Sequence, residues 1–261
     1  MTPKVLVLTG YGINCDMELA HAFRLAGADA ERVHLSDLIN GSKELSDFHI
    51  LALPGGFSFG DDIASGKVLA NMIKYNLGEQ LGQFIDSGKL IIGICNGFQA
   101  MVKMGLLPAF DGDYVTQDVT LTFNDSGRFE DRWVHLKGNP EAKCVFTKGV
   151  GNIYLPVRHG EGKFIVKSPQ VLARLRKNSH VVLQYVDREG NFAGYPHNPN
   201  GSVDSIAAIC DETGRVFGMM PHPEAFTHRT NHPSWTREEL PEEGAGVAIF
   251  RNAVEYAEER L

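Results

Sequence analysis

Short apolar runs alternate, through the first hundred residues, with stretches whose apolar side chains recur every three or four positions. "KVLVLTG" (4–10), "DFHILALPGG" (47–56) and "KLIIGI" (89–94) are of the first kind. Such runs are apolar on both faces and predict strands covered on both sides. "DMELAHAFRLAG" (16–27) is of the second kind, with Leu19, Ala22, Phe23 and Ala26 on one helical face before Gly27. The same spacing predicts helices over 62–76, 77–87 and 96–104, the last stopping at Gly105. Strand and helix in alternation indicate a parallel sheet with helices on both faces.

The pattern changes over 117–137 and 152–187. "QDVTLTFN", "DRWVHL", "NIYLPVRH" and "VVLQYVD" alternate apolar with polar positions and predict an antiparallel extension of the same sheet. "AAIC" (207–210) and "RVFGMM" (215–220) return to buried strands, and "GAGVAIFRNAVEYAEERL" (244–261) is a closing amphipathic helix. "YPHNPNGS" (195–202) reads as an ordered loop, and no internal repeat or low-complexity linker interrupts the chain. The expectation is one α/β domain over 1–261, an open sheet that is mostly parallel with an antiparallel extension.

Composition narrows the function classes. A net charge of −7 without a block of like charges argues against a nucleic-acid or anionic-membrane surface. No apolar run reaches the ~20 residues of a membrane span, and the N-terminus enters a strand rather than a signal segment. Cys15, Cys95, Cys144 and Cys210 lie far apart with no CxxC pair, so neither a zinc motif nor a disulfide framework follows. A reduced, cytoplasmic setting is expected.

In an open α/β sheet ligands bind beyond the carboxyl ends of the strands, which selects Gly10–Asp16, Pro54–Asp62, Gly93–Gln99, His159–Lys163 and Pro221–Glu224. Gly93-Ile94-Cys95-Asn96-Gly97 has the form of a nucleophile elbow. A strand passing directly into a helix forces its turn residue into a strained conformation, and small residues two positions either side make room. The thiol then stands at the positive end of a helix, which favours a thiolate. The alternative is a core cysteine with glycines kept for packing. Acyl chemistry at a cysteine also needs a base and an oxyanion hole. His222 follows a buried strand and Glu224 lies two residues on, an imidazole with a carboxylate to orient it. Pro54-Gly55-Gly56 offers backbone N–H groups at a strand exit, and the N–H of Asn96 would be the second donor. "GYG" (10–12) lacks the third glycine of a dinucleotide fingerprint, and no phosphate loop occurs, so ATP use by this chain is not expected. His228 and His232 lack a third ligand partner and read as surface residues. Cys15 is the rival thiol, but it has no flanking glycines and no evident base.

With "GICNGFQ" at 93–99, the Pro-Gly-Gly exit and His222-x-Glu224, the chain resembles the class I (triad) glutamine amidotransferases, whose fold is flavodoxin-like. "GINCDMELAHAF", "LPGGFSFGDDIASG", "NDSGRFEDRW", "RHGEGKF", "YPHNPNGS", "MMPHPE" and "IFRNA" extend the likeness to the glutaminase subunits of phosphoribosylformylglycinamidine synthases, over nearly the whole chain. The resemblance implies Cys95 as nucleophile, His222 as base and then acid, and Glu224 as its orienting group. It places the backbone of Gly55 or Gly56 and of Asn96 around the oxyanion. Gln99 would shape the glutamine pocket, and His159 and Gly160 would face the substrate's α-substituents. No metal and no cofactor are implied in this chain. ATP and magnesium would belong to a separate synthetase subunit that receives the ammonia, with a small third subunit beside it. The segments 111–150 and 225–244 are long for a minimal glutaminase and are expected to dock the partner or cover the site. Two other readings stay open on the residues alone. One is a glutaminase serving a different synthetase. The other is a non-enzymatic elbow-cysteine redox or chaperone-like protein, in which Cys95 would react without needing His222 or Glu224.

Overall fold

A computed structural model describes all 261 residues. Its strands are β1 (Lys4–Thr9), β2 (Asp29–His34), β3 (Ile50–Leu53), β4 (Leu90–Ile94), β5 (Val119–Thr122), β6 (Glu130–Gly138), β7 (Asn152–His159), β8 (Lys163–Val166), β9 (Val181–Val186), β10 (Ile206–Cys210) and β11 (Val216–Met219). The helices are α1 (Asp16–Leu25), α2 (Leu35–Ile39), α3 (Lys67–Asp86), α4 (Asn96–Met104), α5 (Pro169–Lys177) and α6 (Val247–Arg260). Nine strands form one sheet in the order β2-β1-β3-β4-β11-β10-β9-β6-β7. From β2 to β11 the pairings are parallel, and from β11 to β7 they are antiparallel.

The central parallel strands β3, β4 and β11 are buried along their length, as their unbroken apolar runs require, while β2 at the edge is half exposed. Helix α1 packs on α6, β1 and β2, while α3 packs on α4, and α4 lies over β3, β4 and β11. A single cluster of 70 buried residues reaches every strand of the large sheet, so the parallel and antiparallel halves share one core.

Three expectations change in the structure. Residues 62–76 and 77–87 are not two helices: α3 runs unbroken from Lys67 to Asp86. Its buried positions Leu69, Ile73, Leu77, Leu81 and Phe84 form a continuous stripe, and Gly78 and Gly82 face open space without ending it. The alternating strands do not all join the main sheet, because β5 and β8 pair as a separate two-stranded ribbon. Helix α5 was not anticipated, although Ser168 caps it through a bond from the Val171 N–H and Pro169 occupies its first turn. His232 is not a surface residue: it is 8% exposed and packs against Trp133, Tyr154 and Phe226. That aromatic group seats the 225–244 segment on β6 and β7. His228 is exposed and caps the short turn Arg229–Asn231.

Candidate active site

Strands β4 and β11 are neighbours in parallel register, Gly93 beside Gly218 and Ile94 beside Met219. Their carboxyl ends therefore open at the same edge, one leading into Cys95 and the other, three residues later, into His222. Cys95 sits between β4 and α4 with φ 50° and ψ −107°, outside the regions an L residue ordinarily occupies. The strain is fixed by packing on either side of it. A Cβ at Gly93 would stand 2.3 Å from the Met101 sulfur, and one at Gly97 would stand 2.0 Å from the carbonyl oxygen of Leu53. Only glycine lets α4 approach β3 and β4 this closely. The sequence criterion for an elbow thus has a steric origin.

His222 donates through Nδ1 to Glu224 Oε1 at 2.5 Å, and both side chains are almost wholly buried. Burial works against a charged imidazole. The Glu224 carboxylate and the Cys95 sulfur outweigh it and hold the His222 pKa well above its ordinary value. His222 Nε2 has no partner in hydrogen-bonding geometry, nor does Glu224 Oε2. The Cys95 thiol contacts the carbonyl oxygen of Arg158 at 3.5 Å. A Cβ at Gly55 would lie 2.7 Å from His222 Cε1 and 3.4 Å from both Cys95 Cβ and Cys15 Sγ. Gly55 therefore marks the point where Cys95, the His222 imidazole and Cys15 converge.

The Gly55 carbonyl accepts from the N–H groups of Asn14 and Cys15, and Phe57 N–H donates to the Gly12 carbonyl. The loop after β1 thereby fixes the Pro-Gly-Gly exit of β3. Neither the Gly56 N–H nor the Asn96 N–H donates to another group of the protein, which leaves two donors beside the elbow for a developing oxyanion. The Asn96 side chain has a separate task. Its Oδ1 accepts from Ser58 N–H and its Nδ2 donates to Asp61 and to Gln99 Oε1, clamping the "GGFSFGDD" loop onto α4. Gln99 in turn donates to the Glu161 carbonyl at 2.7 Å, tying α4 to the "RHGEG" loop.

His159 is placed differently from the role first expected of it. Its ring is 2% exposed and faces the interior, where Nδ1 donates to Asn124 Oδ1 and Nε2 accepts from Asn200. Burial, aided by the nearby His222 charge, pushes its pKa down to about 3, so the ring is neutral. Its tautomer follows from the two amides. The hub of this network is Asn124, which sequence reasoning passed over. Its Nδ2 donates to the carbonyls of Arg128 and His159, its Oδ1 also accepts from Gly162 N–H, and its own N–H donates to the Gly160 carbonyl. The loop faces the elbow with backbone, the Arg158 carbonyl, rather than with the imidazole. Gly160 belongs to that backbone. Cys15, set aside as a rival thiol, lies inside the site, half-buried at its rim.

Comparison with known proteins agrees with this geometry. Residues 2–257 match the family model described as the CobB/CobQ-like glutamine amidotransferase domain. Two similar relatives carry the name phosphoribosylformylglycinamidine synthase subunit PurQ. The one from Dehalococcoides mccartyi is 50% identical over 255 residues, 97% of each chain. The one from Methanococcus maripaludis is 48% identical over 268 residues, 98% of this chain and 99% of the other. Among solved structures, a chain in the structure of PurLQS from Thermotoga maritima has a TM-score of 0.73 at 30% identity, covering 98% of this chain and 99% of that one. The fold and the matched residues define a glutamine amidotransferase. Within that family the chain belongs with the PurQ subunits of phosphoribosylformylglycinamidine synthase.

Proposed function

We propose that the chain hydrolyses L-glutamine and supplies ammonia to the ATP-using synthetase subunit of phosphoribosylformylglycinamidine synthase, in purine biosynthesis. The observation that carries the chemistry is the Cys95 elbow on β4 facing the His222–Glu224 pair on the adjoining strand β11. The Cys95 thiolate attacks the glutamine side-chain amide. The oxyanion is met by the N–H groups of Gly56 and Asn96. His222, holding a proton through neutral pH, gives it to the departing ammonia and leaves a γ-glutamyl thioester on Cys95. His222 then takes a proton from water as the thioester is hydrolysed to glutamate. Glu224 keeps Nδ1–H fixed throughout, so that Nε2 is the nitrogen that exchanges protons.

In this reading Asn124 and Gln99 set the glutamine pocket by fixing the "RHGEG" loop. The chain uses no cofactor or metal for glutamine hydrolysis, and ATP with magnesium is handled by the synthetase, with a small third subunit in the assembly. The setting is cytoplasmic; no helix is long and apolar enough to cross a membrane. The test is glutamine turnover by wild type, Cys95→Ala and His222→Ala, each with and without the synthetase. Wild type turns glutamine over, more strongly with the synthetase, and both variants lose at least about 10³-fold. Activity surviving in Cys95→Ala would overturn the mechanism. Turnover lost in Cys95→Ala but kept in His222→Ala would remove the base from it.

A further inference from the structure

The buried site contains a second thiol that glutamine hydrolysis does not use. Cys15 opens α1 beyond the end of β1, and its Sγ, a ring nitrogen of His222 and a carboxylate oxygen of Glu224 all lie within 4.8 Å of one another. Cys95 approaches the same spot from β4, since its Cβ and the Cys15 sulfur are each 3.4 Å from the point where a Gly55 side chain would begin. Because Gly55 has no side chain, that volume stays open. His222 Nε2, in a residue 2% exposed, has no hydrogen-bond partner of its own.

We propose that Cys15, Cys95 and His222 form a binding site for a thiophilic divalent cation, zinc above all, which blocks the nucleophile reversibly. Two thiolates and one imidazole, with a fourth position left for water, are a donor set zinc accepts. Zinc–sulfur and zinc–nitrogen bonds of about 2.3 and 2.1 Å bring the ligand atoms of a tetrahedral site within about 4 Å of one another. The Cys15 sulfur and a His222 ring nitrogen already stand within 4.8 Å of each other, and rotation of the Cys95 side chain about its Cα–Cβ bond would bring its sulfur to the same point as the third ligand. The outer sphere is also in place: a ligating imidazole ordinarily donates its other N–H to a carboxylate, and His222 Nδ1 does so to Glu224. The half-buried Cys15 at the rim gives the cation a route in. One cation takes the place of the protons held by the two sulfurs and the imidazole, which leave to solvent. No bond to carbon changes, and a chelator restores the thiols. Sequence spacing cannot signal such a site, because its ligands come from three distant strand ends.

That the cation inhibits rests on the glutaminase reading; that it binds does not. Cobalt(II) is the probe, titrated into the reduced full-length protein and followed by its thiolate-to-metal charge-transfer absorption. Wild type is expected to bind one cobalt with a two-thiolate signal that zinc displaces. Cys15→Ser and Cys95→Ser are each expected to lose about half of that signal, with Cys144→Ser as the unchanged control. Glu224→Gln is expected to bind about 10- to 100-fold more weakly. Zinc should inhibit wild-type glutaminase, and Cys15→Ser, measured against its own metal-free rate, should need at least tenfold more zinc. The proposal is overturned if wild type gives no charge-transfer band, or if the band is unchanged in Cys15→Ser or in Cys95→Ser. Cobalt bound as expected by a protein with no glutamine turnover in the synthetase complex would instead overturn the functional reading.

Discussion

Two buried histidines of the site region are held in opposite protonation states by what surrounds them. His222 has a carboxylate on Nδ1 and keeps its proton; His159 has two neutral amides and does not. In the proposed mechanism His222 must hold a proton to release ammonia, so activity should fall as pH rises through the raised His222 pKa. Glu224→Gln removes the largest group that raises it, leaving burial to lower it. The basic limb of the pH–rate profile should therefore move to lower pH in that variant, alongside a lower kcat, and an unmoved limb would assign it to another group. For His159 the linkage has the other sign. Its folded pKa of about 3 lies below the ordinary value of 6.5. Between those values the unfolded chain takes up a proton that the folded chain refuses. Stability is therefore lost as pH falls through this window, at up to about 1.4 kcal/mol per pH unit for one such group. Urea unfolding at several pH values should show a shallower acid decline in His159→Gln than in wild type. That Cys95, His222 and Glu224 would come together at one sheet edge was legible in the sequence, because an elbow needs glycines at fixed offsets and a base needs a strand end. The interior orientation of His159 was not legible, since hydrogen bonds to Asn124 and Asn200 leave no periodic trace.

At the level of elements, the site depends on how closely α4 can lie against the sheet. Gly97→Ala puts a methyl group 2.0 Å from a backbone oxygen of β3, and backbone cannot turn aside as a side chain can. A loss of about 1–3 kcal/mol in urea unfolding is expected, with a larger relative loss of glutamine turnover because α4 carries Cys95. Asn124→Ala tests the other wall. It leaves the Gly162 N–H and the Arg128 and His159 carbonyls without their side-chain partner, each costing about 1–3 kcal/mol where burial keeps water out. KM for glutamine should rise more than kcat falls, since the loop rather than the nucleophile is released. The strands and most helices followed from apolar spacing, because a sheet covered on both faces must be apolar on both. The spacing could not say that β5 and β8 leave the main sheet, as pairing partners are chosen by long-range packing. It misplaced a break in α3 because a solvated glycine weakens a helix without ending it.

Across the whole molecule, the proposed nucleophile and its base come from residues 95 and 222 and meet through one strand pairing. Breaking the sheet anywhere near its middle separates them. Glutamine turnover and the far-ultraviolet sheet signal should therefore disappear together in a urea titration. A turnover midpoint well below the structural one would place the site in a locally unfolding region. The order of the strands carries one more consequence. The eleventh strand is the last to be made, yet it enters fifth among nine, between β4 and β10. A nascent chain thus emerges with its thiol long before its imidazole, and the seat between those two neighbours is filled last. Until then the molecule carries the elbow thiol without the imidazole, and a copy cut short before β11 lacks the proton shuttle of the proposed mechanism.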